Sequence, residues 1–105
     1  MTVTLAVAGA GSRGRSHALH ARASGARITA VAEPRAEARA AFAAEFAVPE
    51  QNVFESWEGL AQAGRLADAV VVATQDAMHA APAVAFAGLG YDILLEKPMA
   101  PTEAG

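Results

Sequence analysis

The residues with the clearest chemical potential form a glycine-rich hexapeptide near the amino terminus, Gly9–Gly14 (GAGSRG). This G-x-G-x-x-G pattern follows a short apolar stretch, Thr2–Ala8, and opens a segment with helical character. Gly9 permits a tight turn, Gly11 lets a diphosphate approach the backbone, and Gly14 lets a helix pack closely on a strand. Amides at the start of such a helix point at phosphates, and the helix dipole favours their negative charge. The pattern predicts a dinucleotide-binding loop, with a glycine-rich turn that binds nothing as the alternative.

A carboxylate stands at the point where a dinucleotide would place its adenosine ribose. Glu33 follows Gly14 by 19 residues and ends the second predicted strand. It can accept hydrogen bonds from both ribose hydroxyls, which favours NAD over NADP. Arg35 is a competing signal, because a nearby arginine can bind the 2′-phosphate of NADP. An ionised Glu33 would repel that phosphate at close range, so we predict NAD; the alternative for Glu33 is an ordinary helix-capping acid before Pro34.

The tripeptide Glu96-Lys97-Pro98 directly follows the last predicted strand, and Lys97 is the only lysine of the chain. In open α/β sheets, ligands bind beyond the carboxyl ends of the strands, so this tripeptide is expected on the ligand-binding edge. Lysine is also a residue whose pKa shifts readily on burial, which suits it to catalysis. The alternative is a surface lysine paired with Glu96.

The elements that must position these residues alternate between strand-like and helix-like segments. Strands are predicted over 2–8, 27–32, 53–54, 67–73 and 92–95, and helices over 13–23, 35–46, 56–64, 80–88 and from 102 onward. This alternation predicts βαβ units and a parallel sheet. The strands are nearly continuous in apolar residues, which indicates that helices cover both faces of the sheet. The expected fold is therefore a doubly wound parallel α/β sheet of about five strands.

Composition excludes several classes of protein. Of the 105 residues, 53% are hydrophobic and 18% are charged, which excludes an intrinsically disordered chain. No apolar run approaches the ~20 residues that a membrane-spanning helix needs. The absence of cysteine excludes disulfides and thiolate chemistry and suits a cytoplasmic location, and the start has no basic segment typical of a signal peptide. A net charge of −3 without a basic stripe argues against a nucleic-acid partner, and the isolated pair His17 and His20 does not predict a metal site.

Taken together and in order, four motifs resemble the N-terminal NAD(P)-binding Rossmann domain of the Gfo/Idh/MocA oxidoreductases, which include glucose–fructose oxidoreductase and inositol dehydrogenase. The motifs are GAGSRG, the acid Glu33, the stretch Thr74–His79 (TQDAMH) and EKP, and they span the whole chain. The resemblance implies that the cofactor-binding residues are Gly9, Gly11, Ser12, Arg13, Gly14, Glu33, Thr74, Gln75, Asp76, His79, Glu96 and Lys97. Arg35 joins this list through its position beside Glu33. One departure is Gln75, where the family often has proline.

The same resemblance implies a reaction. The full-length protein would transfer a hydride between nicotinamide and a secondary alcohol of a sugar or polyol. Lys97 would be the catalytic residue, bonding the reacting hydroxyl and stabilising the developing alkoxide. The substrate would be held largely by a second domain that is absent from these 105 residues, and the full-length protein could be an oligomer.

Residues 1–105 are accordingly expected to form one dinucleotide-binding domain, truncated near its carboxyl end and inactive by itself. Two alternatives stay open. The chain could be a stand-alone nucleotide-binding module without catalysis, or a methyltransferase-like Rossmann domain, which also has a glycine-rich loop and an acid after its second strand. The EKP tripeptide argues against the methyltransferase.

Overall fold

A computed structural model describes residues 3–73 and 80–95 of the chain. Its strands are β1 (Thr4–Ala8), β2 (Arg27–Ala32), β3 (Val53–Phe54), β4 (Ala69–Val72) and β5 (Asp92–Leu95), and its helices are α1 (Ser12–Ala23), α2 (Ala36–Phe46), α3 (Trp57–Gln62) and α4 (Ala80–Gly88), with a 3₁₀ turn at Glu50–Asn52. Strands and helices alternate along the chain as the sequence predicts. The helix expected from Thr102 lies outside the described residues.

All five strands are parallel and lie in the order β3-β2-β1-β4-β5. The chain runs outward from β1 through β2 to β3, then returns to place β4 on the other side of β1. A doubly wound sheet reverses direction at such a point, and the carboxyl ends of the two strands there frame a crevice in which ligands bind. The predicted α/β fold is confirmed, and the switch point lies between β1 and β4.

The two faces of the sheet carry separate cores. On one face, Leu5 and Val7 of β1 pack with Val31 of β2 beneath α1 and α2, where Phe42 and Phe46 meet with ring centroids 4.5 Å apart. The helical spacing of these two phenylalanines predicts this contact. Burial on both faces explains why the strands lack a polar alternation.

The opposite face is built largely from small side chains. There, Ala6 and Ala8 of β1 lie beside Ala30 of β2, and α3 and α4 supply the bulk through Leu60 and Phe86, both fully buried. Small residues on the strands let these two helices approach the sheet closely. The face is completed by edge-to-face contacts of the Phe86 ring with Trp57 and Tyr91.

A local signal sets the start of α3. The Ser56 hydroxyl accepts a hydrogen bond from the Gly59 amide and caps α3 as its position predicts.

The strand expected over 67–73 is shorter in the structure, where β4 spans only Ala69–Val72. The carboxylate of Asp68, the residue before β4, accepts hydrogen bonds from the Thr4 amide and hydroxyl, at 3.0 and 3.1 Å, and so fastens the start of β1. Among the described residues, no helix is both long and apolar enough to cross a membrane.

Phe86→Ala tests whether the alanine-rich face depends on the bulk that α4 supplies. We predict a loss of about 3–5 kcal/mol in the free energy of unfolding, because a fully buried ring is removed. The matched control on the same helix is Val84→Ala, whose side chain is 72% exposed and whose effect should stay within about 0.5 kcal/mol. Urea unfolding followed by circular dichroism measures both; equal effects for the two variants would contradict the packing described.

Candidate functional site

The glycine-rich loop leaves the carboxyl end of β1 at the switch point of the sheet. Gly9 adopts φ 103°, a left-handed backbone conformation that only glycine enters freely. In this conformation its amide donates a 2.7 Å hydrogen bond to the carbonyl of Ala32 at the end of β2. The turn therefore fastens the loop to the neighbouring strand before α1 begins.

Gly14 is the point of closest approach between α1 and this turn. A Cβ atom on Gly14 would lie 1.9 Å from the carbonyl oxygen of Gly9 and 3.2 Å from Cγ1 of Val7. Neither the backbone oxygen nor the packed valine has room to move away. Glycine at this position is thus required for the helix to sit against β1.

The start of α1 is open to an anion. Gly11 occupies the N-cap position and has no side chain to cap the helix, and the first turn contains no acidic residue. The helix dipole leaves a partial positive charge there. Ser12 and Arg13, both predicted to bind the cofactor, form the beginning of the helix. Each group at this end of α1 is compatible with a bound phosphate.

Glu33 is the one buried charged residue among those the structure describes, with 3% of its surface exposed. Its Oε1 accepts a 2.8 Å hydrogen bond from the Ala10 amide, inside the glycine-rich loop. Its Oε2 accepts from the backbone amide and from Nε of Arg35, both at 2.9 Å. The Arg39 guanidinium donates to the Glu33 carbonyl at 2.9 Å and so holds the turn that follows β2.

The surroundings of Glu33 keep it ionised. Burial alone would raise the pKa of this carboxyl, but hydrogen bonds from Arg35 and from the Ala10 amide outweigh burial, so the pKa lies below its usual value. A carboxylate that stays charged over the neutral range can accept hydrogen bonds from hydroxyl donors and repels a nearby phosphate. These are the two properties that discrimination between a ribose diol and a 2′-phosphate requires.

A groove of about 310 Å³ lies beside the start of α1, between that helix and α2. Its lining residues are Ala10, Gly11, Ser12, Arg15, Arg35, Ala38, Ala41, Phe42 and Glu45. Arg15 closes one side through a bidentate pair with Glu45, whose N–O distances are 2.7 and 2.8 Å. This pair raises the pKa of Arg15 and lowers that of Glu45.

The structure brings together the predicted residues of the adenosine half, and two further groups complete that half. The glycine loop, Glu33 and Arg35 converge on one edge of the sheet. The Ala10 amide and Arg39 were not among the predicted site residues. For Arg39, the one indication in the sequence is its position four residues after Arg35, the N-cap residue of α2. The remaining predicted residues, Thr74, Gln75, Asp76, His79, Glu96 and Lys97, lie outside the described residues.

Within the described ranges, no group of three or more histidine, aspartate or glutamate side chains is placed to hold a metal ion.

Comparison with known proteins gives one family and several relatives. A family model described as an oxidoreductase family with an NAD-binding Rossmann fold, that of the Gfo/Idh/MocA proteins, matches residues 3–105. The inositol 2-dehydrogenase of Acidiphilium cryptum is 36% identical over 107 residues, which cover 100% of this chain and 31% of that protein. The chain thus spans about a third of the length of this relative.

Two solved structures show the same fold. Myo-inositol dehydrogenase from Lactobacillus casei, in complex with NAD(H) and myo-inositol, is 29% identical with a TM-score of 0.78, over 97% of this chain and 30% of that one. UDP-N-acetylglucosamine 3-dehydrogenase from Acidithiobacillus ferrooxidans is 31% identical with a TM-score of 0.74, over 93% of this chain and 30% of that one.

Two glycines of the loop are predicted to differ sharply in their tolerance of a methyl group. Gly14→Ala should lower the free energy of unfolding by about 3 kcal/mol or more, because the new Cβ collides with backbone. Gly11→Ala should cost less than about 1 kcal/mol, since its φ is −75° and only the flexible end of Arg35 lies near. Chemical unfolding of both variants checks this, and a well-folded Gly14→Ala protein would contradict the close packing.

Glu33→Gln tests the ionised state of the buried carboxyl. At neutral pH the variant should be less stable than wild type by about 1–3 kcal/mol, because an amide has one acceptor oxygen where the carboxylate has two. A lowered folded-state pKa contributes stability above the unfolded pKa and loses it as the pH falls through the folded value.

The stability difference between wild type and Glu33→Gln should therefore shrink as the pH is lowered below about 4.5, the ordinary value for this group. Urea unfolding of both proteins at a series of pH values from 7 to 3 measures it. A difference that is constant over this range would show that the charge of Glu33 contributes nothing.

Proposed function

Because the chain belongs to the Gfo/Idh/MocA oxidoreductase family, we propose that it is the cofactor-binding part of an NAD-dependent dehydrogenase acting on a polyol or sugar. The family model describes an NAD-binding Rossmann fold, and this removes the methyltransferase-like alternative. Preference for NAD over NADP is the finer part of the proposal. We assign residues 1–105 to one dinucleotide-binding domain.

The residues described fit the two ends of a bound adenosine diphosphate. The start of α1, from Gly11 through Arg13, suits the diphosphate, because its N-cap residue is a glycine without a capping side chain and the helix dipole favours an anion there. Glu33 suits the ribose, because its carboxylate is ionised and stands at the end of β2. The observation that carries the proposal is the 2.8 Å bond between the Ala10 amide and Glu33, which fixes these two subsites relative to each other.

The assignment of residues to the nicotinamide half of the site rests on the order of the motifs along the chain. Thr74, Gln75, Asp76 and His79 follow β4 in the chain, and β4 pairs with β1 in parallel, next to the glycine loop. Glu96 and Lys97 follow β5, which pairs with β4 in parallel. We propose that both segments contribute to the nicotinamide side of the site, as the family resemblance implies.

When bound, NAD supplies the hydride chemistry. The part assigned to Lys97 is to donate a hydrogen bond to the reacting hydroxyl of the substrate and to stabilise the charge that develops on its oxygen. A secondary alcohol is the substrate group that such chemistry needs. The inositol dehydrogenases among the relatives favour a cyclic polyol, and the UDP-sugar dehydrogenase favours a sugar ring as the alternative. The oligomeric state and the cytoplasmic location stay predictions from the sequence.

Calorimetric titration with NAD and NADP tests the cofactor assignment. Wild type should bind NAD more tightly than NADP. Glu33→Ala should weaken NAD binding by about tenfold, because the ribose hydroxyls lose a charged acceptor, and should narrow the preference over NADP. The matched control is Glu37→Ala, an exposed acid in the first turn of α2, which should leave the preference unchanged. An unchanged preference in Glu33→Ala would remove Glu33 from the ribose subsite.

A further inference from the structure

The acceptor positions of Glu33 are fully used within the protein. A carboxylate offers about four lone-pair positions, two on each oxygen. Backbone amides take one on each, because Ala10 donates to Oε1 at 2.8 Å and Arg35 donates to Oε2 at 2.9 Å. Both bonds belong to tight turns at the ends of β1 and β2 and cannot be released without rebuilding those turns.

The guanidinium of Arg35 takes the other two positions. Its Nε donates to Oε2 at 2.9 Å and its Nη2 donates to Oε1 at 3.4 Å, so the two groups face each other as a fork. The Arg35 side chain is 62% exposed, whereas that of Glu33 is 4% exposed. The guanidinium can therefore swing into solvent, while the carboxylate stays where the backbone holds it.

The same guanidinium lies against the glycine-rich loop. Nη2 of Arg35 is 3.1 Å from the position that a Cβ atom on Gly11 would occupy. Gly11 is the residue at which the loop lets a diphosphate come close to the backbone. One exposed side chain thus covers both the two acceptor positions of Glu33 that the backbone amides leave over and the approach to Gly11.

We propose that Arg35 and the adenosine ribose compete for the same two acceptor positions on Glu33, so that Arg35 sets the affinity of the site for ribose-containing cofactors. This rests on the function proposed above. A ribose offers two hydroxyl donors, one for each oxygen of the carboxylate, in place of the two donors of the guanidinium. The diol can bind only after the Arg35 guanidinium has moved away from Glu33. The binding free energy from the diol's hydrogen bonds is then partly offset by the loss of the ion pair between Arg35 and Glu33.

The test compares ligands with and without the diol, using ADP and 2′,3′-dideoxy-ADP as probes. The measured quantity is the ratio of their dissociation constants, because loss of a positive charge or of the contact with Gly11 affects both ligands alike and cancels. In Arg35→Met the preference for ADP over the dideoxy compound should be about three- to tenfold larger than in wild type. Arg35→Lys, which keeps the charge but has no fork, should be intermediate.

The control is Arg15→Met, which removes the same charge from the same groove but whose partner is Glu45. Its preference for ADP over dideoxy-ADP should equal that of wild type. Binding of both probes with an unchanged or smaller ratio in Arg35→Met and Arg35→Lys would overturn the competition and leave the proposed function standing. Failure of the wild-type chain to bind NAD or ADP at all would overturn both.

Discussion

The hydrogen bond from the Ala10 amide to Glu33 is the interaction on which the site depends, because it joins two segments that are 23 residues apart in the chain. It fixes the distance between the glycine-rich loop and the acid at the end of β2. The loop can reach Glu33 only because Gly9 turns with a positive φ and bonds to Ala32. The proposed diphosphate subsite and the proposed ribose subsite are thereby held in a fixed arrangement.

Much of the fold can be predicted from the sequence because its signals are local. Apolar strands bounded by glycine or proline, the Ser56 cap and the spacing of Phe42 and Phe46 each act within a few residues. The bonds of the Asp68 carboxylate to Thr4, just before β4, could not be predicted, because the two residues are 64 positions apart in the chain. The 3₁₀ turn at Glu50–Asn52 was missed as well; Asn52 donates there to the Thr29 carbonyl on β2, a tertiary contact.

The candidate site likewise has a part that the sequence predicts and a part that it does not. The motif spacing identifies Gly9, Gly11, Gly14 and Glu33, since each has a backbone or charge requirement that few residue types meet. The sequence also marked Arg35, but as a partner for a 2′-phosphate; its pairing with both oxygens of Glu33 depends on side-chain geometry in three dimensions. Whether Arg35 pairs with a phosphate or with Glu33 depends on competing hydrogen bonds, and the spacing of residues in the sequence does not predict their outcome.

The most direct measurement is the amide spectrum of the ¹⁵N-labelled chain during titration with NAD. The proposed site predicts saturable shifts for the amides from Gly9 to Gly14 and for those of Glu33 and Arg35, which would lie next to the diphosphate and the ribose. Amides of α3, on the opposite face of the sheet, should stay in place. Saturable shifts confined to residues away from the glycine-rich loop, or no saturable shifts at all, would contradict the assignment.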